Sequence, residues 1–544
     1  MKPADDEARK VSIRKGATAE HSFSEVARSL ATGRTMSRRQ ALGWIGGALA
    51  GAALAHFPGL ALAAPAPGEA SASVPTQHGA MLRGLLLPTK DRSLEGRFGL
   101  MFKKLPAFEP PDTLLIDLAR GMEEPSDTAS NDSSLPVGFV FLGQFIDHDL
   151  TFDDTPIPAQ REDPDARTNF RTPRFELDSV YGPGPKQNAI IFDPDDPAKL
   201  YIARNSYNRD DLPRDADGTA RIGDPRDDEN LVTSQLHLAF RKFHNALVDH
   251  VREQGLSRID EVFAEAQRLC RWHYQWVLVH DFLPKVVEQS VIDTILQERP
   301  GGPAKVKLDF YKPKNPNKPM MPIEFAVAAY RFGHSMLRRG YVINKQGQSA
   351  ILFGKNADDF PKDESVGNLN GGRPLRPELE IAWRHFFEIP GANDPVNYAR
   401  PIDSNLSGPL SALPFVSAPP VSLAERNLLR GKRLGLPAGQ QVAQEMGVQA
   451  LSVERLGLGA NPGWVAQGRA PLWFYILKEA ELQQGGERLG AVGGRIVAEV
   501  FLGLLRLDGS SYLRVDPTFR PKPPIAPEAG VFRIGDLLKF AGVA

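Results

Sequence analysis

The chain has 544 residues, of which 42% are hydrophobic and 24% are charged, and its formal net charge is −1. This composition is typical of a soluble globular protein that is long enough to bury a large core. A balanced charge without a polybasic tract gives nucleic acid and acidic membrane surfaces no electrostatic reason to bind. The single cysteine, Cys270, excludes an intramolecular disulfide and is expected to pack in the core.

The N-terminal region has the features of an export signal. The adjacent residues Arg38 and Arg39 precede an apolar run, rich in glycine and alanine, from Gly43 to about Ala55. Ala61-Leu62-Ala63 then offers a small-residue cleavage site. These features predict a signal peptide that the twin-arginine export machinery reads. A single membrane anchor is the alternative interpretation of the apolar run.

The chain is therefore divided into three parts. We expect a disordered N-terminus with the signal peptide at 1–63, a linker rich in proline, alanine and serine at 64–80, and one large domain at 81–544. No second unbroken apolar stretch of about 18 residues follows, so no stable membrane span is expected in the mature chain. The exported product is expected to be periplasmic or extracellular.

Helical patterns dominate the predicted domain. Apolar residues recur at three- and four-residue steps in four long segments, at Leu135–Leu150, Asn230–Gln254, Ser257–Pro284 and Ile323–Leu337. Ser257 and Asp260 predict a capping box, and Pro284 predicts the end of that helix. Shorter helices are predicted near Glu378–Phe387, Ser422–Leu429, Gly439–Glu445 and Arg495–Leu505.

Strand patterns are few. They are Ala189–Phe192, Leu200–Ala203 and a hairpin around Gly347 that joins Tyr341–Ile343 to Ala350–Phe353. The sequence therefore predicts a mostly α-helical fold, with one large domain, long loops and minimal β-structure.

Three motifs carry residues suited to chemistry. The first is Gly-Gln-Phe-Ile-Asp-His-Asp at 143–149, which places Gln144 and His148 on one helical face. The second is Gly-Asp-Pro-Arg-Asp-Asp-Glu at 223–229, which supplies an arginine and a glutamate. The third is Tyr-Arg-Phe-Gly-His at 330–334, which supplies a second helical histidine.

In this order and spacing, the motifs resemble those of the animal-type haem peroxidase superfamily, also called the peroxidase–cyclooxygenase superfamily, in its bacterial branch. The resemblance spans about Met81 to Leu505 and includes the helix with His237 and Arg241. It implies a haem peroxidase domain with a buried haem b. Such a domain would reduce hydrogen peroxide while oxidising small organic or halide donors.

The resemblance implies roles for three residues on the peroxide side of the haem. His148 would move a proton between the two peroxide oxygens, a task suited to an imidazole that titrates near working pH. Arg226 would stabilise the charge on the leaving oxygen. Gln144 matches a position near the halide site of animal members.

On the other side of the haem, the resemblance implies that His334 binds the iron. Asn427 matches the asparagine that contacts the second ring nitrogen of the ligand. Arg331 and Arg430 match arginines near the haem propionates. Asp147 and Glu229 match carboxylates that form ester bonds to haem in many animal members. Both ester-linked and non-covalent haem remain open.

The resemblance further implies a calcium site. Asp149 follows the distal histidine, where the family places a calcium ligand. The loop at 172–178 would complete an oxygen-rich cage through alternate residues. Its implied ligands are Thr172, the carbonyl of Arg174, Glu176 and Asp178.

Two alternative functions are weighed against the peroxidase. A haem fatty-acid dioxygenase of the same superfamily would carry a tyrosine three residues before the proximal histidine, where this chain has Arg331. Tyr330 lies one residue earlier. A secreted interaction protein with the same fold and no turnover is the second alternative, and the intact residues His148, Arg226 and His334 argue against it.

Overall fold

The computed structural model describes residues 98–124, 132–151, 173–185, 188–216, 218–297, 302–315, 319–344, 349–353, 367–413, 416 and 419–544. These residues belong to one compact unit. The predicted signal peptide, the linker and the first residues of the predicted domain lie outside the described ranges. Within those ranges, no helix is both long enough and apolar enough to cross a membrane.

The described chain is mostly helical, as the sequence predicts. Its α-helices are α1 (Asp112–Gly121), α2 (Gly138–Leu150), α3 (Asp178–Tyr181), α4 (Leu231–Glu253), α5 (Ile259–Val277), α6 (Leu283–Val286), α7 (Gln289–Ile295), α8 (Leu423–Arg433), α9 (Gly439–Glu445), α10 (Pro462–Gln467), α11 (Leu472–Gln484), α12 (Ala491–Leu507), α13 (Tyr512–Val515) and α14 (Ile534–Phe540). Shorter 3₁₀ turns are at Ala189–Ile191, Pro225–Asp228, Ala329–His334, Pro377–Leu379, Trp383–His385 and Gly408–Leu410, and π-helical turns are at Leu278–Phe282 and Glu324–Ala328.

Strands are two or three residues long and pair in twos. The strands are β1 (Phe98–Gly99), β2 (Ala203–Arg204), β3 (Asp210–Asp211), β4 (Leu296–Gln297), β5 (Lys305–Val306), β6 (Met321–Pro322), β7 (Gly340–Val342) and β8 (Ser349–Ile351). β1 runs parallel to β6, and the pairs β2–β3, β4–β5 and β7–β8 are antiparallel. The β7–β8 pair confirms the predicted hairpin, although Gly347 lies outside the described residues.

Several predicted helices are confirmed. α4 begins one residue after Asn230, whose side chain accepts a hydrogen bond from the backbone N–H of Val232. α9 has the predicted bounds, and α8 and α12 extend beyond the predicted segments by a few residues.

Other predictions about these elements are wrong in detail. α2 begins at Gly138, not Leu135, because the backbone of Pro136 pairs with Tyr398 in an extended bridge. The capping box at Ser257 is absent, since Arg258 precedes α5 and no side chain caps it. Pro284 does not end the helical run. It lies in α6, which follows the π-helical turn Leu278–Phe282 directly.

Three further segments differ from the predictions. The predicted strand at 189–192 is a 3₁₀ turn at Ala189–Ile191, and only Phe192 pairs as predicted for a strand, in an antiparallel bridge with Leu200. The predicted helix at 378–387 is two separate 3₁₀ turns. The predicted helix at 323–337 is a π-helical turn followed by the 3₁₀ turn Ala329–His334, so the backbone changes pitch immediately before the predicted iron ligand.

The core fixes α2 against α4 and α5. Phe145 of α2 stacks on Phe240 of α4, with ring centroids 4.8 Å apart and planes 8° apart. Tyr274 of α5 meets Phe240 edge-on at 5.6 Å. Phe145 is fully buried, so this packing fixes the position of α2, which carries Gln144, Asp147 and His148. Cys270 is buried, as expected, and burial raises the pKa of its thiol to about 12.

Candidate active site

His148 lies near the C-terminal end of α2 and is buried. Its Nδ1 atom lies 2.8 Å from Oδ1 of Asp227. A carboxylate only accepts hydrogen bonds, so Nδ1 carries the proton and donates it. Among the described residues, Nε2 makes no hydrogen bond. His148 therefore presents a nitrogen lone pair that can accept a proton.

Arg226 is held beside His148 by its own turn. Asp224 caps the 3₁₀ turn Pro225–Asp228 by accepting from the backbone N–H of Arg226 at 2.9 Å. The same carboxylate accepts from Nη2 of Arg226 at 2.8 Å. Nη2 also donates to the backbone carbonyl of His148 at 3.1 Å. A fixed cation thus lies next to a potential base.

Glu229 borders the same site. Burial raises the pKa of its carboxyl, while the charges of His148 and Arg226 act in the opposite direction. The residue nevertheless keeps an exposed surface. Glu229 is therefore close enough to His148 and Arg226 for their charges to act on its carboxyl.

Gln144 and Asp147 are half-buried on α2. Oε1 of Gln144 accepts from the hydroxyl of Thr233 in α4 at 3.3 Å. Oδ1 of Asp147 accepts from the hydroxyl of Thr151 at 2.9 Å. α2 therefore carries three of the predicted site residues: Gln144 for the halide site, Asp147 for an ester bond and His148 for proton transfer.

His334 ends the 3₁₀ turn Ala329–His334, and its Nδ1 lies 2.8 Å from the side-chain amide nitrogen of Asn427 in α8. Burial, together with the positive charges of Arg331 and Arg430, lowers the pKa of His334 to about 3. The imidazole is therefore neutral, which is the form that binds a metal ion. The sequence predicted that these four residues meet, and the structure brings them together.

The amide of Asn427 can satisfy His334 in two orientations. With its nitrogen toward the ring, the amide donates to Nδ1, and the ring proton must then sit on Nε2. With the amide rotated by a half-turn, its oxygen accepts the proton of Nδ1 and leaves the Nε2 lone pair available. Only the second orientation suits an iron ligand. The neutral, half-buried imidazole and the half-buried Arg331 and Arg430 fit a haem with its two propionates.

The predicted calcium ligands fit less well. Both carboxylate oxygens of Asp149 accept backbone N–H groups, from Leu177 and Asp178, at 3.1 Å each. Leu177 has a left-handed backbone with φ 59, which turns the consecutive N–H groups toward the anion. Asp149 is therefore held by two consecutive backbone N–H groups of the predicted calcium loop.

The other calcium ligands do not complete a cage. Glu176 lies 4.0 Å from Arg271, and the side chain of Arg174 faces Asp508 at 3.7 Å. Thr172 lies outside the described residues. Within the described ranges, no group of three or more histidine, cysteine, aspartate or glutamate side chains could hold a metal ion.

Sequence reasoning missed two residues of the site, Asp227 and His237. Asp227 is fully buried and binds both His148 and His237, each through an Nδ1–Oδ distance of 2.8 Å. In the sequence, Asp227 is one of two adjacent aspartates, and nothing separates it from Asp228. No local signal distinguishes the two, because their partners lie on different elements.

A comparison with family models identifies the class of protein. The model described as animal haem peroxidase matches residues 156–451, which is more than half of the chain. The chain belongs to the animal haem peroxidase family. Haem is therefore the cofactor that the family implies, and oxidoreductase chemistry of the peroxidase and dioxygenase kind is the corresponding class of activity. The motif at 143–149 lies just outside the matched range.

Two curated proteins match this haem peroxidase family member over part of its length. A peroxidase-like protein from Margaritifera margaritifera is 31% identical over 155 residues, which are 28% of this chain and 19% of that protein. A peroxidasin homologue from Caenorhabditis elegans is 27% identical over 227 residues, which are 40% of this chain and 15% of that protein. The matched segments thus span less than a fifth of either relative.

Solved structures share the fold. Peroxidase A from Dictyostelium discoideum has a TM-score of 0.55 and 14% identity, covering 77% of this chain and 89% of that one. A fatty acid alpha-dioxygenase from Arabidopsis thaliana has a TM-score of 0.51 and 15% identity, covering 82% of this chain and 76% of that one. The fatty acid alpha-dioxygenase from Oryza sativa has a TM-score of 0.52 and 16% identity, covering 78% of this chain and 83% of that one. Identities this low establish a common fold and no more.

Proposed function

We propose that this chain is a haem-dependent peroxidase that reduces hydrogen peroxide while oxidising small organic or halide donors. One observation carries the proposal. His148 has its Nδ1 proton committed to Asp227 and its Nε2 atom without a hydrogen bond among the described residues, next to the fixed guanidinium of Arg226. A base and a permanent cation side by side are what cleavage of a peroxide O–O bond requires.

The chemistry divides between cofactor and protein. Haem, when bound, supplies the two electrons that reduce hydrogen peroxide, and donor molecules return them. Nε2 of His148 takes the proton from one peroxide oxygen and delivers it to the other, which leaves as water. The guanidinium of Arg226 stabilises the negative charge on the departing oxygen. Both groups are held in advance, so neither must reorganise during the step.

His334 would hold the cofactor from its other face. Its low pKa keeps the imidazole neutral, and the side-chain oxygen of Asn427 would hold the ring proton on Nδ1, which leaves Nε2 to bind the iron. Arg331 and Arg430 would pair with the propionates. Asp147 and Glu229 are available for ester bonds to the haem, and their accessible carboxyls support that proposal. Gln144 would contribute to the choice of halide or organic donor.

Two further features are proposed on sequence grounds. Calcium would bind between Asp149 and the loop at 172–178, which requires Glu176 to turn away from Arg271. The chain would be exported by the twin-arginine machinery and act in the periplasm or outside the cell, in keeping with the arginine pair near its N-terminus.

The decisive experiment measures peroxide consumption per bound haem. His148→Ala is expected to slow it by about 10²- to 10⁴-fold, and Arg226→Ala by about 10²- to 10³-fold. Both variants should still bind haem, because His334 is intact. His250→Ala and Arg252→Ala on α4 are matched controls outside the site and should consume peroxide at the wild-type rate.

Three results would contradict the proposal. A wild-type protein that binds haem without consuming peroxide would favour the interaction protein. Oxygen uptake with a fatty acid would favour the dioxygenase. Undiminished turnover in both site variants would remove His148 and Arg226 from the mechanism.

A further inference from the structure

We propose that Asp227 positions the distal base: it fixes the tautomer and the ring orientation of His148, and His237 holds Asp227 in place. The inference rests on the proposed function only in treating His148 as the base. Asp227 belongs to the turn that carries Arg226, so one short segment would provide both the cation and the partner of the base.

Three elements meet at this carboxylate. His148 comes from α2, Asp227 from the turn Pro225–Asp228 and His237 from α4. Oδ1 of Asp227 accepts from Nδ1 of His148, and Oδ2 accepts from Nδ1 of His237, both at 2.8 Å. His237 and Asp227 have no accessible surface, and His148 is 5% exposed. Water therefore has no access through which to replace either bond.

The carboxylate decides the tautomer of both rings. Because it can only accept, each histidine must carry its proton on Nδ1. For His148 this leaves Nε2 as an acceptor. The opposite tautomer would present an N–H group, which cannot take a proton from peroxide. Without an acceptor at Asp227, nothing among the described residues would select the productive form.

The burial of His237 is unfavourable for stability, and a role in holding Asp227 would explain why a histidine is present there. Its Nε2 atom is buried and has no hydrogen bond within the described ranges. An unsatisfied buried polar atom destabilises the folded state. An apolar side chain would avoid that cost, whereas a second donor keeps the carboxylate from rotating away from His148.

The charges are consistent with this geometry. Burial alone would raise the pKa of Asp227, yet the hydrogen bonds from His148 and His237 hold it below its ordinary value. Burial lowers the pKa of His237, so that ring remains neutral. The pair is therefore an ionised carboxylate with a neutral donor behind it.

Asp228 supplies a matched control. It lies one residue along the same turn and is also buried, but its carboxylate pairs with Arg214 at 2.5 and 2.8 Å and faces neither histidine. A change at Asp228 disturbs the same segment without touching the base.

The test uses haem-loaded full-length protein and two readouts. Cyanide binding to the ferric protein requires the loss of a proton from hydrogen cyanide, so its rate reports on the base without turnover. Peroxide consumption per haem is the second readout. Asp227→Leu and Asp227→Ala should slow both by about 10- to 100-fold. Asp227→Asn should fall between the wild type and these two variants, because the amide oxygen can accept from only one of the two rings and the NH2 group faces the other. Asp228→Asn should leave both rates per haem unchanged.

The outcomes separate the two proposals. Rates per haem in Asp227→Leu and Asp227→Ala that equal the wild-type rates would overturn the positioning role. If Asp227→Leu does not fold, the comparison of Asp227→Ala with the wild type and with Asp228→Asn decides. A cyanide series in the expected order with no peroxide turnover in the wild type would sink the proposed function and leave the role of Asp227 intact.

Discussion

The hydroxyl of Tyr330 donates a hydrogen bond to the backbone carbonyl of Gly143 at 3.3 Å. A side chain from the turn that ends at His334 thus contacts the helix that carries His148. The ring is buried and stacks on Phe325, with centroids 4.7 Å apart. This contact links the two histidine-bearing segments directly.

A variant at Tyr330 distinguishes the proposed peroxidase function from the alternative dioxygenase function. Tyr330→Phe should lower stability by about 0.5–1.5 kcal/mol, the usual loss of one hydrogen bond, and leave peroxide consumption per haem unchanged. The wild type should show no oxygen uptake with palmitic acid. Uptake that disappears in Tyr330→Phe would instead assign this tyrosine to a dioxygenase reaction. Thermal unfolding and an oxygen electrode provide the two measurements.

The acceptor at Asn427 should tune the cofactor. Asn427→Asp places an anion at Nδ1 of His334, which strengthens the electron donation of the ring and should lower the ferric–ferrous reduction potential. Asn427→Leu removes the acceptor and should raise the potential, with haem retention weakened by about 10- to 100-fold. Spectroelectrochemistry and haem titration measure both effects. Equal potentials in the two variants would show that Asn427 does not act through His334.

The calcium prediction has a clear test at Asp149. Metal analysis of purified protein should find calcium, and chelation should lower the melting temperature and disturb the haem spectrum. Asp149→Ala should destabilise the protein by about 1–3 kcal/mol even without calcium, because two buried N–H groups lose their acceptor. If active protein contains no calcium and chelation changes nothing, Asp149 acts through its contacts within the protein and not as a calcium ligand.

Glu479 should make stability depend on pH. It is fully buried, and burial raises the pKa of its carboxyl to about 7, although the N–H groups of Val492 and Gly493 donate to it. The carboxyl of Glu479 ionises near pH 4.5 in the unfolded chain. Its contribution to the unfolding free energy is therefore complete below that pH and is lost as the pH rises through 7.

The wild type should lose at most about 3 kcal/mol of unfolding free energy through Glu479 as the pH rises from about 4.5 to 7. Glu479→Gln should remove this loss. Urea titrations at pH 5 and pH 8 measure it. Glu499→Gln is the control, since Glu499 is equally buried but is paired with Arg495 at 2.8 Å. Glu499→Gln should lower the unfolding free energy by a similar amount at both pH values. An unchanged pH dependence in Glu479→Gln would refute the assignment.

The export prediction concerns Arg38 and Arg39. Replacing both by lysine should leave the precursor inside the cell, because the twin-arginine pathway reads the guanidinium pair. Cell fractionation and N-terminal sequencing of the mature product, expected to start near Ala64, check the route. Undiminished export of the double variant would assign the segment to a general signal or an anchor.

Local sequence determined much of the architecture and the identity of several site residues. Periodic apolar residues at 230–254 fix a long amphipathic helix because helix formation depends on residues three and four apart. The same spacing put Gln144 and His148 on one face. The helix starts were predicted less well, because the extended pairing of Pro136 with Tyr398 joins residues far apart in the chain.

Tertiary structure alone decided how His148 is held. Asp227 and Asp228 are chemically identical neighbours in the sequence, yet one receives two histidines and the other an arginine. The difference arises because α2 and α4 converge on one side of a short turn and Arg214 lies on the other. Hydrogen bonds between side chains depend on that convergence to within a few tenths of an ångström. A sequence specifies such a distance only through the complete fold.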